Sequence, residues 1–315
     1  MKITMTSITH NGPVFPAEYE ARGFKVANET LPELAEEMLY DYARKSETEY
    51  VKKPIFNKNF WSCLKPELTS TQKKLSFPAD FQTVIAEMKK TQADVKAQKD
   101  LIKAAAKNGD ASAKKTLEDE KAAKTALKEK HATAILNGNP APLNGYMIEE
   151  PGIIITRGAN PRLGLWKYRT QPEDVTINFV DPTGTMKAPE APLGHKWKAV
   201  VSTPSSAYAF KYKVKNGPFE INKAVRFAAG SEIAETADKT KYENGEKLLK
   251  IMPKIEKHIA EGFKSSDPKR QQAALITYLC KLTAIRIGNE QSEETAAMTE
   301  GLSTLKVGSV TLRKE

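Results

Sequence analysis

Apolar positions change rhythm several times along the chain. Over residues 1–80 they come in short stretches separated by Pro13, Pro16, Pro54, Pro66 and Pro78, which predicts a mixed segment of short elements. One helix stands out there, from about Leu31 to Tyr42. Pro32 falls in its first turn, Glu33, Glu36 and Glu37 favour its N-terminal dipole, and Leu34, Met38 and Leu39 share one face. Residues 81–136 contain no proline and are rich in Ala, Lys and Glu. Val84, Ile85, Met88, Val95, Leu101 and Ile102 are sparse apolar positions on a first helix, and Asn108-Gly109-Asp110 is a turn signal. A second helix is predicted from about Ser112 to Ile135, with Leu117, Leu127 and Ile135 apolar. Seams this thin predict an antiparallel helical hairpin that projects from the body and forms no core.

Residues 137–150 read as a Gly/Pro/Asn loop. Residues 151–231 are strand-like: Ile153-Ile154-Ile155-Thr156 and Val175-Thr176-Ile177-Asn178-Phe179 are β-branched runs. Ala207 to Val214 alternates aromatic with basic side chains before a turn at Asn216-Gly217. From Tyr242 the period is helical again. Leu248, Leu249, Met252, Ile255 and Ile259 mark one helix, bent or interrupted at Pro253. Ser266 or Asp267 caps the next, with Pro268 in its first turn. Leu305 to Leu312 reads as a strand or hairpin arm, and a strand there with no partner beyond it looks like an interrupted domain. The fold class is therefore α+β: a mixed lobe over 1–80 and 137–231, a projecting hairpin over 81–136, a β-rich stretch, and a helical part over 232–315.

The 315 residues predict two or three domains, and 40% hydrophobic content suffices for real cores. The net charge of +10 leaves two readings open: a polyanionic partner, nucleic acid ahead of a membrane surface, or a basic protein without one. No apolar run has membrane-spanning length, and Met1 to Thr6 lacks the apolar core of a secretory signal. Cys63 and Cys280 are too few for a disulfide framework and read as small core residues in a reducing compartment. No metal-ligand spacing, Walker loop, Ser/His/Asp order or hydrolytic carboxylate pair is present, so no metal and no cofactor are implied.

Three places carry candidate chemistry. Arg286 follows the apolar stretch Ala273–Ile285, where a buried helix end would fix its guanidinium. It reads as a clamp for a phosphate oxygen, or as an arginine paired with Glu290 or another carboxylate. Arg157, in Thr156-Arg157-Gly158-Ala159-Asn160-Pro161-Arg162, reads as a groove-reaching or a solvated turn arginine. Gly194-His195-Lys196-Trp197-Lys198 reads as a stacking and phosphate site, or as a core tryptophan beside a structural histidine. The hairpin lysines Lys89, Lys90, Lys96, Lys99 and Lys103 either track a phosphate backbone or form a solvated face.

Taken together these segments resemble the DNA-binding core of eukaryotic type IB DNA topoisomerases, over nearly the whole chain. The resemblance rests on His10-Asn11-Gly12-Pro13-Val14-Phe15-Pro16, Ile55-Phe56-Asn57-Lys58-Asn59-Phe60-Trp61, Glu150-Pro151-Gly152, Gln171-Pro172-Glu173-Asp174-Val175 and Gly194 to Lys198. It continues through Lys241-Tyr242-Glu243 and Lys281-Leu282 to Arg286-Ile287-Gly288-Asn289-Glu290, each match short but all in shared order. It implies two lobes that close on duplex DNA, a cap bearing the hairpin, and the helical start of a truncated recombinase-like catalytic domain. It implies an ATP-independent, metal-free isomerase that relaxes supercoils through a 3′-phosphotyrosyl link, in the nucleus if the source is eukaryotic and otherwise cytoplasmic or viral.

Residue by residue, the resemblance makes Arg286 an active-site arginine. Arg157 enters the DNA near the cleavage site and lines the pocket of camptothecin-type poisons. Lys241 and Lys96 become DNA contacts, as do Lys196, Lys198, Gly288, Asn289 and Glu290 within the matched segments. Asn222-Lys223 stands near a Lys-Tyr DNA contact but differs from it, and Gly145 replaces an asparagine. In the resemblance the family's tyrosine nucleophile, lysine acid, second arginine and histidine all lie beyond the point matching Glu315, and no tyrosine or histidine follows Arg286 here. The chain is therefore expected to be inactive alone, its nucleophile coming from a C-terminal part or a second subunit. The competing reading is a non-catalytic duplex-DNA-binding protein.

Overall fold

The computed structural model describes residues 6–156, 160–204, 206–229, 231–288, 301–305 and 307–311. Its elements begin with β1 (Ile8–Thr9), β2 (Lys25–Val26), β3 (Glu29–Thr30), α1 (Glu33–Lys45), α2 (Pro54–Leu64), α3 (Gln82–Lys107) and α4 (Ala111–His131). There follow β4 (Thr133–Leu136), β5 (Asn139–Pro142), β6 (Gly152–Ile153), β7 (Trp166–Lys167), β8 (Val175–Asn178), β9 (Ala199–Val201), β10 (Tyr208–Asn216) and β11 (Phe219–Arg226). The helices α5 (Glu232–Phe263) and α6 (Pro268–Thr283) close the order. Two compact units emerge, one within 1–156 and 162–235, the other within 157–161 and 236–315.

The first unit holds two cores. One is aromatic. α1 places Met38, Leu39 and Tyr42 on its inner face at helical spacing, and α2 places Phe56 and Phe60 four residues apart against them. Tyr42 stacks on Phe60 at 4.8 Å, and Trp61 lies over Phe77 with planes 9° apart. Gly164 is required here: its φ is +89°, and a Cβ would sit 2.2 Å from the carbonyl oxygen of Phe56. Glu36, fully buried on α1, accepts hydrogen bonds from the Tyr19 hydroxyl and the backbone N–H groups of Arg22, Gly23 and Phe24, so its burial is compensated.

The second core lies between sheets. β4 pairs with β1 and β5, while β10 pairs with β11 along its length and with β7 and β8 on its other side; β9 runs parallel to β8. Alternation on β10 buries Phe210, Tyr212 and Val214 and leaves Lys211 and Lys215 in solvent. Buried His10 ties this core together. Its Nδ1 accepts from Gly12 N–H (3.0 Å), its Nε2 lies 3.2 Å from the Asn178 carbonyl, and the Gly12 carbonyl meets His131 Nδ1 at 2.9 Å at the foot of α4.

α3 and α4 form the antiparallel pair. Asp110 caps α4 by accepting from Ala113 N–H, and Asp110 N–H returns to the Ala105 carbonyl. α3 buries Val84, Ile85 and Met88 at its base and Ala106 near its end. Val95, Leu101 and Ile102 are exposed, and no described side chain of α4 is buried.

Several expectations are corrected. α4 stops at His131, and Ile135 is an exposed strand residue, because Ala134 and Leu136 alternate into the core while β4 takes up β1 and β5. The expected loop at 137–150 accordingly contains β5. The run Ile153–Thr156 yields ladder pairing only at Gly152–Ile153. α1 starts after Pro32, which is its N-cap, and continues to Lys45. α5 runs through Pro253 without interruption, its face at Ile255 and Ile259 packed toward α6. Among the described residues of 305–312, Val307–Ser309 is a 3-10 turn and no strand forms.

In the second unit, α6 is capped by Asp267, whose side chain accepts from Lys269 N–H, with Pro268 at its first position. Gly262 of α5 lies against Ala274 of α6, and Phe263 meets Tyr278 edge-on at 5.9 Å. Ala284 adopts a left-handed conformation (φ 55°) and ends α6.

Candidate nucleic-acid interface

Arg286 stands two residues past that left-handed stop, and its backbone is what the fold holds. Its carbonyl accepts from Leu302 N–H (3.1 Å), and the Ser303 hydroxyl donates to the Gly288 carbonyl (2.7 Å). Gly288 and Gly301 pass so closely that a Cβ on Gly301 would lie 2.2 Å from Gly288 N. The stretch leading to Arg286 is not the buried helix that its apolar content predicts: Leu275, Tyr278, Leu282 and Ile285 are exposed, and so is Arg286. The reason is local. Within its unit α6 packs on α5 through small residues, and Ala274 is its one described buried side chain. Glu290, the alternative partner, lies outside the described residues, as do Arg157 and Asn289.

Lys241, on α5, is exposed, with Nζ 2.7 Å from Asp238; that carboxylate raises the lysine pKa above its ordinary value and keeps it charged. Lys96 is exposed on α3. Lys196 and Lys198 are exposed just before β9, whereas Trp197 between them is structural. Its indole N–H donates to the Pro189 carbonyl (2.7 Å) and its ring stacks on Phe15. His195 Nδ1 lies 3.2 Å from Glu173, a surface contact.

Lys223, on β11, enters a cleft of about 530 Å³ in the first unit, whose walls also carry Arg44, Lys45, Arg162 and Lys167. Among the described residues, Arg44, Lys45, Lys167 and Lys223 meet carboxylates in the same cleft. Asp41 bonds Lys45 and lies 3.7 Å from Arg44, and Glu149 lies 3.0 Å from Lys223 and 3.3 Å from Lys167. Burial pushes the Glu149 carboxyl up, but the two lysines outweigh it and hold it below the usual carboxylate range. Lys96, Lys196 and Lys198 do not line this cleft, and Arg286, Gly288 and Lys241 belong to the other unit.

Sequence reasoning missed Arg44, Lys45, Lys167 and Glu149. Only Glu149 adjoined a quoted landmark, since it directly precedes Glu150-Pro151-Gly152. The two cysteines are free; Cys63 is buried, which raises its thiol pKa, and Cys280 is half-buried. Among the described residues there is no group of metal-ligating side chains and no helix long and apolar enough to cross a membrane.

An exposed arginine at a helix stop and a basic, carboxylate-laced cleft accompany clear sequence relationships. The chain belongs to the eukaryotic DNA topoisomerase I family: the family's DNA-binding fragment matches residues 3–227 and its catalytic core matches residues 230–315. It is 31% identical over 309 residues to DNA topoisomerase 1 beta of Arabidopsis thaliana and 30% identical over 316 residues to DNA topoisomerase 1 of Homo sapiens. It is 29% identical over 319 residues to DNA topoisomerase 1 of Caenorhabditis elegans. These alignments cover 96–98% of this chain but only 32–39% of the relatives' lengths.

Proposed function

We propose that this chain grips double-stranded DNA and contributes Arg286 to a type IB reaction of transient single-strand cleavage and religation that relaxes supercoils. In that reaction a tyrosine cleaves one strand, the duplex rotates, and the link is religated without ATP. The observation that carries this reading is the succession of the two family matches, DNA-binding fragment then catalytic core, along a chain of net charge +10. Both lobes of the clamp come from these parts, with α3–α4 as the hairpin of the cap. Arg286 donates hydrogen bonds to the phosphoryl oxygens as the pentacoordinate transition state gathers charge, and its backbone clasp by Gly301–Ser303 holds the approach. Lys96, Lys196, Lys198, Lys223, Lys241, Gly288, Asn289 and Glu290 contact the duplex, and Arg157 reaches it beside the cleavage site.

The tyrosine is supplied in this reading by a C-terminal segment or a second subunit, because no tyrosine follows Arg286. The setting in this reading is nuclear if the source is eukaryotic, and otherwise cytoplasmic or viral. The test mixes the chain with supercoiled plasmid, with and without a tyrosine-bearing catalytic segment of a relative. Relaxation in the mixture supports the proposal. Salt-sensitive duplex binding with no relaxation and no covalent adduct in any mixture favours the non-catalytic duplex binder.

A further inference from the structure

We propose that Glu149 is an internal competitor for DNA phosphate, one that masks Lys167 and Lys223 and so weakens the grip of the first unit on duplex DNA. The proposal rests on the duplex-binding reading above. Lys167 on β7 and Lys223 on β11 reach the same cleft from different strands, and Glu149 takes one with each carboxylate oxygen, at 3.3 and 3.0 Å. A second carboxylate of the cleft shows what a structural one looks like. Asp41 is nearly buried and its Oδ2 accepts the Ile153 backbone N–H, so it is built into the β6 turn. Glu149 is different: its side chain is 37% exposed and Lys223 is 43% exposed, so a phosphate can reach the pair from solvent.

Ion pairs this accessible are weak and exchange readily. A phosphodiester is an acceptor of the same kind, so it can displace the carboxylate. A lysine already neutralised by a carboxylate adds little to counterion release, whereas the same lysine freed adds nearly one unit to the salt slope. Because its pKa is held low, Glu149 stays charged throughout the neutral range and masks constantly. A clamp must also let the duplex turn and leave, and a built-in carboxylate supplies that moderation within the cleft.

The experiment measures binding of a fluorescent duplex over a salt series by the full chain, by Glu149→Gln, and by the triple variant Glu149→Gln/Lys167→Gln/Lys223→Gln. Glu149→Gln is expected to bind about tenfold tighter at low salt, with a slope steeper by about one to two units. The triple variant is expected to lose the gain. Unchanged or weaker binding by a folded Glu149→Gln overturns the inference and leaves duplex binding by the parent chain intact. A gain that survives in the triple variant also overturns it, since bulk charge would then be the cause. Absence of duplex binding by all three proteins sinks the functional reading and this inference together.

Discussion

The two units bury their apolar residues very differently. In the first, Phe56, Phe60, Met38 and Leu39 are fully enclosed, and a second core fills the space between β1, β4, β8 and β10. In the second, α5 and α6 meet along a narrow seam at Ile259, Gly262 and Ala274, while Leu249, Leu275, Leu282 and Ile287 face outward. Apolar composition is similar in kind; enclosure is not. Among the described residues the larger enclosed cores belong to the first unit, and the second carries its proposed catalytic arginine just past a thinly packed helix pair.

Removing enclosed and unenclosed side chains would break that contrast most directly. Phe60→Ala is expected to cost about 3–5 kcal/mol in chemical denaturation, as for other buried aromatics. Leu282→Ala, 67% exposed, is expected to change stability by less than about 0.5 kcal/mol. Equal costs would show that the second unit is as enclosed as the first. Arg286→Ala is expected to lower the cleavage rate of the reconstituted enzyme by about 10²–10³ while leaving duplex affinity largely intact. Parallel losses in both would make Arg286 a binding residue only.

A smaller effect separates the units by pH. His10 lies in the first, and burial lowers its pKa below 6.5, against the raising influence of its contact with the Asn178 carbonyl. The unfolded chain then takes up a proton near pH 6.5 that the folded chain refuses. Stability from neutral His10 is thus fully present above pH 6.5 and declines as pH falls toward the folded pKa, with a slope of at most about 1.4 kcal/mol per pH unit. Comparing unfolding of the parent and His10→Gln at pH 7.5 and 5.5 reads this directly; a pH-independent difference would remove His10 from the account. The smallest expected change is Lys241→Ala, which should lower the salt slope of duplex binding by about one unit for all sequences alike. A sequence-selective loss would contradict a phosphate contact.

Much of the architecture was legible beforehand because it depends on neighbours in sequence. The Asn108-Gly109-Asp110 turn, the Asp267-Pro268 helix start and the Asn216-Gly217 hairpin turn are local conformational preferences, and each appears where its residues stand. Ile135 failed for the opposite reason. Its segment suits a helix locally, but pairing with β1, more than a hundred residues earlier, places Leu136 in the core and Ile135 outside. Leu275 and Leu282 failed likewise, since periodicity tells which side chains share a face and not whether anything covers it.

By itself the sequence determined the family, the helical hairpin, the basic charge and the arginine at a helix stop, all of which follow from residue identity and short-range order. Only the tertiary structure decided that Lys223 shares Glu149 with Lys167, that Trp197 packs inward, and that the backbone of Arg286 is clasped by Gly301–Ser303. Ion pairing, burial and close backbone approach act between residues far apart along the chain, and no local pattern encodes which distant partner will arrive.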